Sequence, residues 1–260
     1  MRAVAIFAAL AIALSSGVRA VAAETEAQQG ADTFADLKQQ GVIVAKSPLY
    51  DVLRPISDEI TKVVAPQYDG PIHFYIVHGK DPNAFATPGG NVYVVDSLLY
   101  FVRNKEELAG TLCHETSHLI HHDSMAEYSH DDAIRRRQLI AMILLGPSWG
   151  SIFATSAIGD LDSLHYSRSA EENADITGSD TCAKAGLNPW GLVWLFQDFS
   201  NANMKTPPEI LSDHPDNENR VKALEKHFQE NPAEFSRFSS DPKTATHLQV
   251  PKDSAEVFLR

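Results

Sequence analysis

Cysteine is nearly absent from this chain of 260 residues: only Cys113 and Cys182 occur. Two cysteines exclude a disulfide-dense scaffold and a four-cysteine metal cluster. In an oxidising compartment they can pair; as free thiols they would behave as two small buried hydrophobes. Basic residues are also scarce, 22 Lys and Arg against 34 Asp and Glu, for a formal charge of −12. A nucleic-acid binder needs a basic face to displace counterions from phosphates, so that class is excluded. A long uninterrupted apolar run is missing too. The longest candidate, 138–158, is broken at Gly146-Pro147 and Gly150, which disfavours a membrane span of about 20 residues. No repeat of 20 to 50 residues appears, so a solenoid is disfavoured.

What is present supports a folded enzyme-sized chain. Hydrophobic residues make up 43% of it, enough for a packed core. Residues 1–23 have the pattern of a secretory signal peptide: Arg2, an apolar run from Ala3 to Leu14, then Ala20, Val21, Ala22 and Ala23. Cleavage near Ala22 or Ala23 is expected, with a periplasmic or secreted product. It removes Arg2 and Arg19 and no acid, so the remainder is more acidic still. No cysteine follows the apolar run, so a lipoprotein anchor is not expected.

Periodicity gives a coarse map. Residues 24–47 read as a polar lead-in with a helical piece near Phe34 to Gln40. Val52, Leu53, Ile56, Ile60, Val63 and Val64 recur at helical spacing. Ile72–Val77 and Asn91–Val95 read as strands, the second reached through Pro88-Gly89-Gly90. Asp96 begins a short helix. Asn104 caps a longer one, with Glu107 at the capping-box position. Later helices are expected over 169–185, closed by Gly186, over 189–199, and over 215–230. The reading is one mainly helical α+β domain over 24–230, followed by a polar tail, 231–260.

The stretch His114-Glu115-Thr116-Ser117-His118 carries the chemistry. On a helix, residues four apart share a face, so His114 and His118 can present ring nitrogens to one ion. Glu115 is turned away by about 100° and can act as a base on water instead. Chance alone places such a pattern in a few chains in a hundred, on an order-of-magnitude count, so a third ligand must decide the matter. The metzincin continuation is excluded, because its glycine and histidine positions hold His121 and Ser124. "SRSAEENAD", 167–175, offers a carboxylate ligand on another helix: Glu171 as third ligand, with Asp175 one turn on to accept a hydrogen bond from the back of a ligand histidine. One zinc ion per chain is the expected cofactor.

Four ordered segments then carry a resemblance: "NAFATPGGNVYVVDSLL" (83–99), "LCHETSHLIHHD" (112–123), "SRSAEENAD" (167–175) and "SDHPDNENR" (212–220). The chain resembles the HtpX-like and prenyl-protease-like zinc metallopeptidases over about residues 50–228, and is similar to their periplasmic branch without the helical repeats. The resemblance implies a gluzincin (zincin-like) fold. It also implies a small sheet whose edge strand at the cleft, Asn91, Val92, Tyr93 and Val94, holds an extended substrate, with Asn83, Pro88, Gly89 and Gly90 shaping the turn before it. It implies that His214 supports the oxyanion or gates the metal, or else merely caps the last helix, and that Arg220 braces an acid near the metal. Arg168 is a candidate for the same work beside Glu171. His122 continues the ligand face and is a candidate extra contact. The implied activity is hydrolysis of unfolded or misfolded envelope proteins, with a peripheral or outer-membrane assembly association. The competing reading is a zinc-bearing chaperone that binds unfolded chains without cutting them.

Overall fold

The computed structural model describes residues 26–123, 166–202, 217–251 and 257–258. The expected signal peptide, the interrupted apolar stretch 138–158 and His214 lie outside them. The described chain starts with helix α1 (26–39), which begins well before the helical piece expected near Phe34 to Gln40, and strand β1 (Ile43–Lys46), which the polar look of the lead-in hid. There follow α2 (Leu49–Val64), β2 (His73–Val77), β3 (Ala84–Thr87), β4 (Asn91–Val95), α3 (Asp96–Phe101) and α4 (Lys105–His121). After the next described residue, Tyr166, come α5 (Arg168–Lys184), α6 (Trp190–Ala202), α7 (Asn217–Glu230), α8 (Pro232–Phe235) and β5 (Val257–Phe258). The fold is α+β and mostly helical. Among the described residues no helix is long and apolar enough to cross a membrane.

Local signals explain most of these boundaries. Asn104 accepts a hydrogen bond from the Glu107 amide at 2.8 Å, and the Glu107 carboxylate reaches back to the Arg103 amide at 2.7 Å, closing the N-terminus of α4. Ser167 caps α5 through the Ala170 amide. Gly186, at φ 74°, ends it.

The sheet order is β3-β4-β2-β1-β5. Strands β2 and β4 run parallel; β3 pairs antiparallel with β4, and β1 with β2 and β5. This corrects the expected edge strand. Asn91, Val92, Tyr93 and Val94 lie in β4, which has a partner on each side and is buried throughout. The edge at the cleft is β3, whose sequence Ala-Phe-Ala-Thr has little strand propensity of its own. Its pairing is imposed by the Pro88-Gly89-Gly90 turn, where both glycines have φ 80°.

One face of the sheet packs on the helices. Leu49, Leu53, Ile56, Ile60 and Val64 form the buried stripe of α2 and join Ile76, Val92, Val94, Leu108, Leu112 and Leu119 in a single core. Each buried leucine or isoleucine there contributes roughly 2 kcal/mol relative to exposure. The other face is covered by α1 in a second cluster of Leu37, Ile43, Val77, Phe85, Tyr93 and Val95. The rings of Phe85, Tyr93, Tyr75 and Phe34 follow one another at centroid spacings of 5.1, 5.5 and 4.9 Å.

The C-terminal residues differ from the expected polar tail. Phe235 is buried in the main core. The Trp194 indole donates to the Ser240 carbonyl, Thr246 binds the Glu106 carboxylate, and β5 extends the sheet. Sparse apolar residues, Phe235, Leu248 and Val250, suffice to fix this segment because its backbone finds partners on the body.

Candidate metal centre

Helix α4 is buried on every side from Glu107 to Leu119, so its polar residues point into protein and not into water. That is the setting of His114, Glu115 and His118. Helix α5 packs along it closely: a Cβ at Gly178 would stand 3.0 Å from the His114 backbone. Cys113 and Cys182 form a disulfide between the two helices, with Cα atoms 5.8 Å apart, directly before His114. The two thiols left open by the sequence are therefore bonded, and the bond fixes how α5 presents Glu171 and Asp175 to α4.

The three expected ligands meet. His114 Nε2 and His118 Nε2 are 3.2 Å apart, and the Glu171 oxygens stand 3.5 Å from each of them. One ligand atom from each residue falls within a 4.8 Å group, all three side chains being buried. Two atoms bound to one tetrahedral zinc at about 2.1 Å lie roughly 3.4 Å apart. The spacing therefore fits a single ion.

The backs of both rings are held. His114 Nδ1 donates to Asp175 at 3.0 Å, and His118 Nδ1 donates to Asp123 at 2.8 Å. A carboxylate only accepts, so it puts the ring proton on Nδ1 and leaves the Nε2 lone pair facing the centre. Asp175 was expected in this role; Asp123 was not. It follows His122, which caps α4 in the left-handed conformation at φ 55° and returns the chain toward His118. An acid just past the end of a ligand-bearing helix was the available signal. Tyr166 stacks on the His118 ring at 3.8 Å and was also missed.

Arg220 organises the acids. It grips Asp175 through two bonds of 2.7 and 2.6 Å and reaches Glu171 at 3.0 Å. Its guanidinium lies 4.3 Å over the Phe196 ring. Burial opposes charge on Asp175, yet the Arg220 guanidinium overrides it and holds the carboxyl below the usual range. Burial also opposes a charged imidazole. At His114 it prevails and lowers the pKa to about 4. At His118 it is outweighed by Asp123 and Glu171, and the pKa is pushed up to about 9. Arg220 is thus the counter-charge shared by Asp175, Glu171 and Glu115.

Glu115 is fully buried beside the ligands and accepts a hydrogen bond from the Ala86 amide of β3 at 3.1 Å. The cleft edge and the expected base thus touch. Other expected residues fall elsewhere. Arg168 is exposed at the start of α5. His122 turns from the ligand face to Glu26 at 2.9 Å. Asn83 is buried next to β3, where its side chain accepts from the Ala84 amide.

Comparison with known sequences agrees with this geometry. Residues 51–227 match Peptidase family M48. The chain belongs to peptidase family M48. Its relatives include a beta-barrel assembly-enhancing protease of Yersinia pestis, 28% identical over 174 residues, covering 60% of this chain and 36% of that protein. The mitochondrial metalloendopeptidase OMA1 of Schizosaccharomyces pombe is 27% identical over 169 residues, covering 64% and 49%. Metalloprotease YcaL of Escherichia coli is 26% identical over 223 residues, covering 82% and 85%. The chain thus spans between about a third and a half of the first two family members' length. Helix α1 and strand β1 precede the matched residues; α4, α5 and most of α7, the elements that bear the metal centre, lie within them.

Proposed function

We propose that this M48 protein is a zinc metalloendopeptidase with a gluzincin arrangement, working in the periplasm or outside the cell. The carrying observation is the convergence of His114, His118 and Glu171, with a carboxylate behind each histidine. A zinc ion held by those three side chains supplies Lewis acidity toward a peptide carbonyl and toward water. Glu115 takes the proton from the attacking water and passes it to the leaving amine as the C–N bond breaks. Asp123 and Asp175 keep His118 and His114 in the tautomer that leaves Nε2 free, and Arg220 balances the charge on Asp175 and Glu171. Strand β3 receives the substrate as an added strand, bringing its backbone alongside Glu115. His214 supports the oxyanion or gates the metal; His214→Ala lowers kcat in the first case and raises activity in the second.

The disulfide and the signal-like residues 1–23 support an oxidising compartment. The name of the Yersinia relative, a beta-barrel assembly-enhancing protease, supports a role at the assembly of envelope proteins; the substrates we propose are misfolded or stalled envelope chains. The direct test is cleavage of casein by the purified protein beside Glu115→Gln, with zinc measured on both. Glu115→Gln is expected to keep its zinc and lose at least about a hundredfold in rate. Undiminished cleavage by that variant would remove Glu115 from the mechanism.

A further inference from the structure

Helix α1 precedes residues 51–227, yet it touches both sides of the cleft. On one side it meets the β3–β4 turn. A Cβ at Gly30 would sit 2.2 Å from the Pro88 carbonyl oxygen, and one at Gly89 would sit 3.2 Å from the Glu26 carbonyl oxygen. The Asn91 side-chain amide donates to the Gly30 carbonyl at 3.3 Å. On the other side α1 meets the end of α4. Glu26 accepts from the Tyr68 hydroxyl at 2.7 Å with one oxygen and from His122 Nδ1 at 2.9 Å with the other.

His122 is the one non-glycine residue with positive φ among the described residues. Left-handed backbone costs a non-glycine residue on the order of 1 kcal/mol, so the cap needs support from its surroundings. The residue after it, Asp123, holds His118 Nδ1. A chain of contacts therefore runs from Glu26 through His122 and Asp123 to a metal ligand. Helix α1 does not depend on Glu26 for its own packing, because Phe34 and Leu37 anchor it in the aromatic cluster over the sheet.

We infer that Glu26 is a positioning residue for the metal centre: by holding the His122 cap it sets Asp123 against His118, and so sets the direction of the His118 Nε2 lone pair. This rests on the metal-site reading above. Glu26 touches neither substrate nor metal, and acts only through the turn.

The parent protein, Glu26→Ala, Glu26→Gln and His122→Gly are compared. Zinc affinity is measured by competition with a chromophoric chelator, the visible spectrum after cobalt(II) loading, and kcat and KM separately on casein. Glu26→Ala is expected to bind zinc about tenfold more weakly, the lower end for groups behind a ligand. Its cobalt spectrum shifts, and kcat falls while KM holds. Glu26→Gln restores most of this, because its oxygen still accepts from His122 while its amide can donate to Tyr68. His122→Gly takes the left-handed cap without strain and without the Glu26 contact, so it keeps most of the parent's zinc affinity, and Glu26→Ala adds nothing further in that background. Zinc affinity and a cobalt spectrum in Glu26→Ala equal to those of the parent overturn the proposal, as does a loss confined to the unfolding midpoint. A parent that binds neither metal overturns this proposal and the metalloendopeptidase reading together.

Discussion

At His118 a short polar side chain decides whether an imidazole is a ligand or a cation. Burial lowers its pKa, but Asp123 and Glu171 outweigh it and push the value up to about 9. Asp123→Asn keeps an acceptor for Nδ1–H but removes the charge. Zinc affinity is expected to fall by about tenfold, read by chelator competition; an unchanged value would leave Asp123 without an orienting role. Arg220 is the opposite case, a buried cation whose removal strands Asp175 and Glu171. Arg220→Ala is expected to cost about 3–5 kcal/mol, measured by urea unfolding of the metal-free protein. A loss under about 1 kcal/mol would mean that the acids are solvated or protonated. His114, His118, Glu115, Glu171 and Asp175 were legible as residues because helical spacing alone puts each pair on a shared face or turns it away. Asp123 and Tyr166 were not, since their roles come from a chain reversal and a ring stack.

Between elements, the decisive contact is α4 against α5. Neither helix shows a strong amphipathic pattern, because polar side chains take up much of the face where the two meet. Their alignment is held by the Cys113–Cys182 bond and by a glycine, Gly178, where the backbones come closest. The bond closes a loop of 69 residues, worth about 4 kcal/mol on the chain-entropy account. Reduction is expected to lower the denaturation midpoint and weaken zinc binding together, since the bond adjoins His114. A midpoint unchanged by reductant would show that packing alone aligns the helices. Strand β3 belongs to this scale as well. Its four residues carry no strand pattern, and its place at the cleft follows from a glycine turn and from β4 being paired on both sides. The edge expected from the family resemblance fell on the stronger strand, β4, one position too far into the sheet.

For the molecule as a whole, folding and occupancy of the His114, His118 and Glu171 site are expected to be coupled. The site takes one residue set from α4, another from α5 and a counter-charge from α7, so an unfolded chain has no site to offer. Binding to the folded state alone stabilises it, by about 4 kcal/mol when free zinc is a thousandfold above its dissociation constant. Chelation is expected to lower the thermal midpoint and zinc to restore it; an identical midpoint in both states would mean that the three side chains hold no ion.

The sequence by itself determined the helices that carry the site, the Asn104 cap of α4 and which three side chains converge, because each rests on spacing or capping within a short segment. Tertiary structure decided the rest. It chose β3 as the edge, bonded the two cysteines, seated the C-terminal residues on the core, and brought Asp123 and Glu26 to the end of α4. Each of these depends on a distance between residues far apart in the chain or on a backbone turn whose direction no local pattern specifies.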